Sequence, residues 1–131
     1  MKKILLSLVL LVSATMFILP ESVIAASASE ITWHGYLMDS DSAKLSHKDG
    51  SVLDFVQNYD SKTALSAKSQ AAGYMLFADK WYHLDKHGNE LAIAAIKRSI
   101  KHKGFYVTID GRLKGNIIVV ENLVEIVDSP F

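Results

Sequence analysis

Cysteine is absent from the 131-residue sequence. That excludes disulfides, thiolate metal sites, thiol redox chemistry and a cysteine-linked lipid anchor. Proline is scarce: Pro20 ends an apolar run and Pro130 stops the last strand, and there is no third. An excess of either charge is lacking too, with 14 basic and 14 acidic side chains. The chain therefore carries neither an electrostatic footprint for nucleic acid nor a polybasic surface for membranes. G-x-S-x-G, a phosphate-binding loop and a dinucleotide fingerprint are missing. Asp39, Asp41 and Asp49 are acidic neighbours, but they lack EF-hand spacing and its closing glutamate. Nothing pairs a serine with a histidine, and no carboxylate pair stands out. The sequence gives no ground for expecting an enzyme or a cofactor.

Long hydrophobic runs are also few. The one present, Ile4 to Leu19, is sixteen residues long and follows Lys2 and Lys3. A spanning helix needs about 20 apolar residues. Small residues follow the run at Val23-Ile24-Ala25 and Ala26-Ser27-Ala28, and both satisfy the small-x-small rule of signal peptidase. This order reads as a secretory signal peptide over 1–28, with an uncleaved membrane anchor as the alternative. Residues 29–131 are then one exported domain, periplasmic or secreted, with no stable membrane insertion after cleavage. Its size suits one modest core.

Along that domain, Ile31 to Met38 is rich in β-branched and aromatic residues and reads as a strand. Asp39 to Ser42 breaks it. Residues 43–59 are the least legible stretch, with a turn at Lys48 to Ser51. Asp60 to Ala72 reads as an alanine-rich helix capped by Asp60 or Ser61 and ended by Gly73. Gly73 to Phe77 and Lys80 to Leu84 form a hairpin. Asn89 is the expected N-cap of a helix from Glu90 to Lys103, with Ile93, Ile96 and Ile100 on one face and Gly104 as its stop. Phe105 to Lys114 alternates as a strand, and Ile117 to Val127 returns with a polar break at Glu121-Asn122 suited to a bulge. Five strands with a helix between the third and fourth predict a mainly β, OB-like five-stranded barrel, with a helical insertion after the first strand. The alternative is an open α+β sheet with helices on one face.

The candidate ligand contacts are the strand aromatics Trp33, Tyr36, Tyr74, Trp81 and Tyr82, because exposed rings on a rigid barrel stack on bases, sugars or other flat groups. Trp81 and Tyr82 are adjacent and point to opposite faces, so one of them is exposed. His83, Asp85 and His87 form H-x-D-x-H, whose alternate residues share a strand face and suit zinc, copper or nickel. The ordinary reading of that trio is three solvated residues in a turn. Lys97, Arg98, Lys101, His102 and Lys103 are accounted for as cations at a helix C-terminus.

Gly35-Tyr36-Leu37-Met38-Asp39, Ala71-Ala72-Gly73-Tyr74, Lys80-Trp81-Tyr82-His83-Leu84-Asp85 with Gly88-Asn89, and the final strand pair around Gly111 and Gly115-Asn116 occur in this order. In that order they resemble a family of small exported bacterial proteins of unknown function. The resemblance spans most of 29–131 and implies a small β-barrel. The sequence departs from the family where members carry cysteines, at Ser42, Thr63 and Ser69, and near a family histidine, at Tyr59. No disulfide, metal or thiol role carries over, so the resemblance supplies no activity. The reading that follows is an exported non-enzymatic binding or accessory module for an unknown small molecule or envelope protein. The alternative is a periplasmic metal-binding protein using His83, Asp85 and His87.

Overall fold

Five strands pair in the order β1-β2-β3-β5-β4, and β4 returns to β1, so the sheet closes on itself and leaves no long free edge. They are β1 (Ile31–Asp39), β2 (Tyr74–Phe77), β3 (Trp81–Leu84), β4 (Tyr106–Lys114) and β5 (Ile117–Glu125). A computed structural model describes residues 29–48 and 50–128. The expected signal peptide over 1–28, Asp49 and Pro130 lie outside the described residues. Four short helices, α1 (Ser40–Ser46), α2 (Val52–Gln57), α3 (Ser61–Ala64) and α4 (Ala67–Ala72), fill the connection from β1 to β2. A longer helix, α5 (Lys86–Arg98), joins β3 to β4. Helices and strands take nearly equal shares of the chain, so it is mixed α/β rather than mainly β. The open-sheet alternative does not hold, because the ring closes through a short parallel pairing of His83 with Ile117 and Leu84 with Ile118.

β1 is the strand on which closure turns. Its residues 31–36 pair with β4, and its residues 36–39 pair with β2. Before this exchange of partners its burial alternates, with Thr32 and His34 exposed and Trp33 buried. After it every residue from Gly35 to Asp39 is buried. Both faces are now covered, one by the sheet interior and the other by the helices that follow. Gly35 sits at the exchange. A Cβ there would lie 2.2 Å from the Phe77 carbonyl oxygen, so only glycine admits this approach.

The interior is a single hydrophobic core that includes Leu37, Leu76, Phe105, Val107, Ile109, Ile118 and Leu123. The alternation expected of β4 is present, with Val107 and Ile109 buried and Tyr106 and Thr108 partly exposed. The β4–β5 register shifts where the polar break was expected: Asp110 faces Asn122 and Gly111 faces Val120, so Glu121 is skipped. α5 lies against β5. Its buried residues, Gly88, Ala92, Ala95 and Ile96, follow the 3.6-residue period, and three of them are small enough for a close approach.

Three helix boundaries differ from expectation, and β5 ends at Glu125 rather than Val127. Residues 60–72 break into two helices at Leu65-Ser66, because Ser66 caps a new first turn with its hydroxyl. The N-cap of α5 is Asp85, not Asn89. Asn89 instead accepts from the Tyr74 N–H at 2.6 Å and donates to the Leu84 and Asp85 carbonyls at 3.2 and 3.0 Å, tethering the start of β2 to the helix. α5 ends at Ser99, whose hydroxyl donates to Glu125 at 2.6 Å and accepts from the Lys101 N–H at 3.0 Å. Gly104 therefore belongs to the following loop, and Ile100 is 77 % exposed rather than on the buried face. Substituting Gly35→Ala should destabilise the fold by about 1–3 kcal/mol through backbone displacement at the exchange point, read as a lowered urea midpoint.

Candidate functional site

The helical insertion is held by caps more than by helix propensity. Helices of four to seven residues are marginal alone, because nucleation consumes most of what their few hydrogen bonds return. Each of these begins with a side-chain oxygen that accepts from the backbone N–H three residues on. The pairs are Asp39 with Ser42, Ser51 with Asp54, Asp60 with Thr63, and Ser66 with Ser69. A cap of this kind contributes about 1 kcal/mol.

Asp39 does more than cap α1. Its carboxylate is 2 % exposed and receives four hydrogen bonds. The Tyr59 hydroxyl donates at 2.6 Å, the Ser42 hydroxyl at 2.7 Å, the Ser42 N–H at 2.9 Å and the Ser69 hydroxyl at 3.1 Å. Tyr59 follows α2 and Ser69 lies in α4, so one carboxylate gathers the insertion onto the end of β1. Burial opposes its charge, but the bonds from Tyr59, Ser42 and Ser69 outweigh it and hold the carboxyl below the usual aspartate range. Burial and the carboxylate together drive Tyr59 far above the ordinary tyrosine value. Tyr74, whose hydroxyl donates to the Ala64 carbonyl, is pushed up to about 12 by burial and then by the Asp39 charge. A carboxylate so saturated is a weak base, and a tyrosine so shifted keeps its proton. The chemistry of this cluster is to lock, not to transfer protons.

Above the lock lies an open cleft of about 430 Å³, lined by Ser42, Ser51, Asp54, Phe55, Asn58, Tyr59, Asp60 and Thr63. Its volume is in the range of small-molecule sites. The lining contains two carboxylates and no cationic side chain. Among the described residues neither Asp54 nor Asp60 is in an ion pair. Lys103 reaches one edge, where it donates to the Asn58 amide oxygen at 3.4 Å. Ser42, Tyr59 and Ser69 converge on Asp39. Thr63 lines the cleft.

The aromatic contacts expected from the sequence lie elsewhere. Trp33, Tyr36, Tyr74 and Tyr82 are at most 8 % exposed and belong to the core, so they offer no open ring face to a partner. Trp33 packs against Tyr82 with ring centroids 5.9 Å apart. Of the adjacent pair it is Trp81 that reaches the outside, half-buried against Phe77 at 5.0 Å. The trio His83, Asp85 and His87 does not converge. Asp85 spends its carboxylate on the Gly88 and Val120 N–H groups at 2.8 and 3.2 Å, and His87 is exposed on the first turn of α5. No cluster of three or more histidine, aspartate or glutamate side chains fit to hold a metal occurs among the described residues.

Most cleft residues come from 51–63, whose first part lies in the least legible stretch, 43–59, because helices this short show no period, and whose last part falls in the helix expected over 60–72. The legible signal there is the repeated spacing of a short oxygen-bearing side chain three residues before another. Two outcomes test the lock. Tyr59→Phe removes the shortest bond to a buried charge and should cost about 1.5–3 kcal/mol in urea denaturation. The second concerns pH. Folding lowers the Asp39 value, so its stabilisation is complete above the unfolded value of about 3.9 and is lost as pH falls through the folded one. Melts between pH 7 and pH 2 should show an acid loss in the parent chain that is shallower in Asp39→Asn.

No protein-family model, curated protein or solved structure matches the chain.

Proposed function

We propose that the chain is an exported, non-enzymatic binding module, an OB-like barrel whose ligand site is the cleft in the helical insertion. The strand order β1-β2-β3-β5-β4, the parallel β3–β5 pairing and the helix between β3 and β4 support the OB-like reading. The lysine pair, apolar run and small-x-small sites within 1–28 support export to the periplasm or beyond. No helix of the described residues is long and apolar enough to cross a membrane.

The observation that carries the binding reading is the cleft with its excess of acceptors. Asp54 and Asp60 bring negative charge, Ser42, Ser51 and Thr63 bring hydroxyls, and Phe55 and Tyr59 bring ring surface. A small organic cation with an amine at one end and an apolar body fits that set. Carboxylates supply charge-assisted bonds, and the rings exclude water from them. The floor does not adjust to the ligand, because Ser42 and Tyr59 are fixed to Asp39. A rigid floor reduces the ordering cost of binding.

Calorimetric titration with putrescine, spermidine and lysine tests the reading. Saturable binding of at least one is expected, with Asp54→Asn weakening it about tenfold, or about 1.4 kcal/mol. Asp54 is exposed in the first turn of α2, so its neutralisation should cost the fold less than about 1 kcal/mol. Heat from none of the three, or binding that Asp54→Asn leaves unchanged, would overturn it.

A further inference from the structure

A second pocket, of about 210 Å³, lies where α1 meets the β2–β3 hairpin, and His47, Met75, Trp81 and His83 are on its walls. Met75 and His83 are direct partners in the antiparallel register, so their side chains leave the sheet on one face, close together. Trp81, two residues before His83, shares that face. His47, the residue that ends α1, sets its ring edge-on to Trp81 with centroids 6.4 Å apart. Helix α1 and the β2–β3 hairpin thus bring two imidazoles, one thioether and one indole to the same pocket.

We propose that this pocket binds one soft monovalent metal ion, Cu(I) or Ag(I), through His47, His83 and the Met75 sulfur, with the Trp81 ring beside it. The donor chemistry selects the ion. A thioether is a poor ligand for hard cations but a good one for Cu(I), and imidazole serves copper equally well. No carboxylate lines the pocket, so calcium, magnesium and manganese lack their oxygen ligands. Trp81 lines the pocket, and an indole ring whose face meets a cation stabilises it electrostatically, as aromatic rings do for ammonium groups. Lys44 also lines the pocket; its side chain is 75 % exposed and its ammonium pairs with Asp41 at 3.8 Å.

A further observation marks this corner as unusual. The Trp81 Nε1–H is buried with no acceptor among the described residues. Buried polar groups are normally paired, and departures from that rule concentrate where function outweighs stability. The site is separate from the cleft, sharing none of its lining residues. It also differs from the H-x-D-x-H trio, since it takes His83 but neither Asp85 nor His87.

The test is a titration of the purified chain with Ag(I), and with Cu(I) in the presence of a Cu(I)-selective chelator without oxygen. Native mass spectrometry gives the stoichiometry, and tryptophan emission reports on Trp81. One ion per chain is expected, with a change in emission that Trp81→Phe abolishes. Met75→Leu keeps the volume and apolar character of the side chain, so the fold survives. It should weaken Ag(I) binding at least tenfold, as should His83→Asn. His87→Asn should leave binding unchanged. Absence of a bound ion, or equal binding by the parent chain and Met75→Leu, would overturn the proposal. So would loss of binding in His87→Asn, which would return the metal to the turn. A circular dichroism melt of each variant separates lost binding from lost folding.

Discussion

One buried carboxylate holds the helical half of this protein to its sheet. Asp39 ends β1, caps α1, and accepts hydroxyl bonds from Tyr59 and Ser69, which stand 20 and 30 residues further on. A charge this deep is tolerable only because every approach to it carries a donor. α1, the end of α2 and α4, all too short to be stable alone, thereby acquire a common anchor. The cleft they surround shares two residues with that anchor, since Ser42 and Tyr59 belong both to the network and to the cleft lining.

The sheet imposes the complementary constraint. β1 serves two neighbours in succession, and the exchange at Gly35 and Tyr36 turns a strand with one wet face into one buried on both sides. That double burial is why Asp39 is inside at all, and why Tyr36 belongs to the core. Closure through the short β3–β5 pairing leaves the outer faces of β2 and β3 as the place where Met75, Trp81 and His83 meet His47 of α1. The two pockets therefore sit on different parts of the same insertion. The cleft is formed among its helices, and the metal pocket where its first helix meets the hairpin.

Strands were the legible part of the sequence. β4 and β5 are long enough for alternation to show, and the polar break at Glu121-Asn122 marked the register shift. The hairpin of β2 and β3 was legible from its β-rich pairs. The start of α5 differs from expectation because Asn89 and Asp85 are both good cap residues, and their tertiary partners distinguish them. The Val120 N–H needs the Asp85 oxygen, while the Tyr74 N–H needs the Asn89 oxygen.

Local sequence is enough to specify the five strands, the helix between the third and fourth, the insertion after the first and the absence of thiol chemistry. These follow from local period, turn residues and composition, which neighbouring residues express without help from distant ones. Tertiary structure alone decided which polar and aromatic residues are available to a partner. Trp33, Tyr74 and Tyr82 look like contacts in the sequence and are core in the structure, because burial depends on what a closed sheet encloses. Asp39 looks like a strand terminator and is a keystone, because its partners arrive from three segments folded over it. His47, Met75 and His83 carry no common motif, and they become neighbours only through strand register and the docking of α1 on the hairpin.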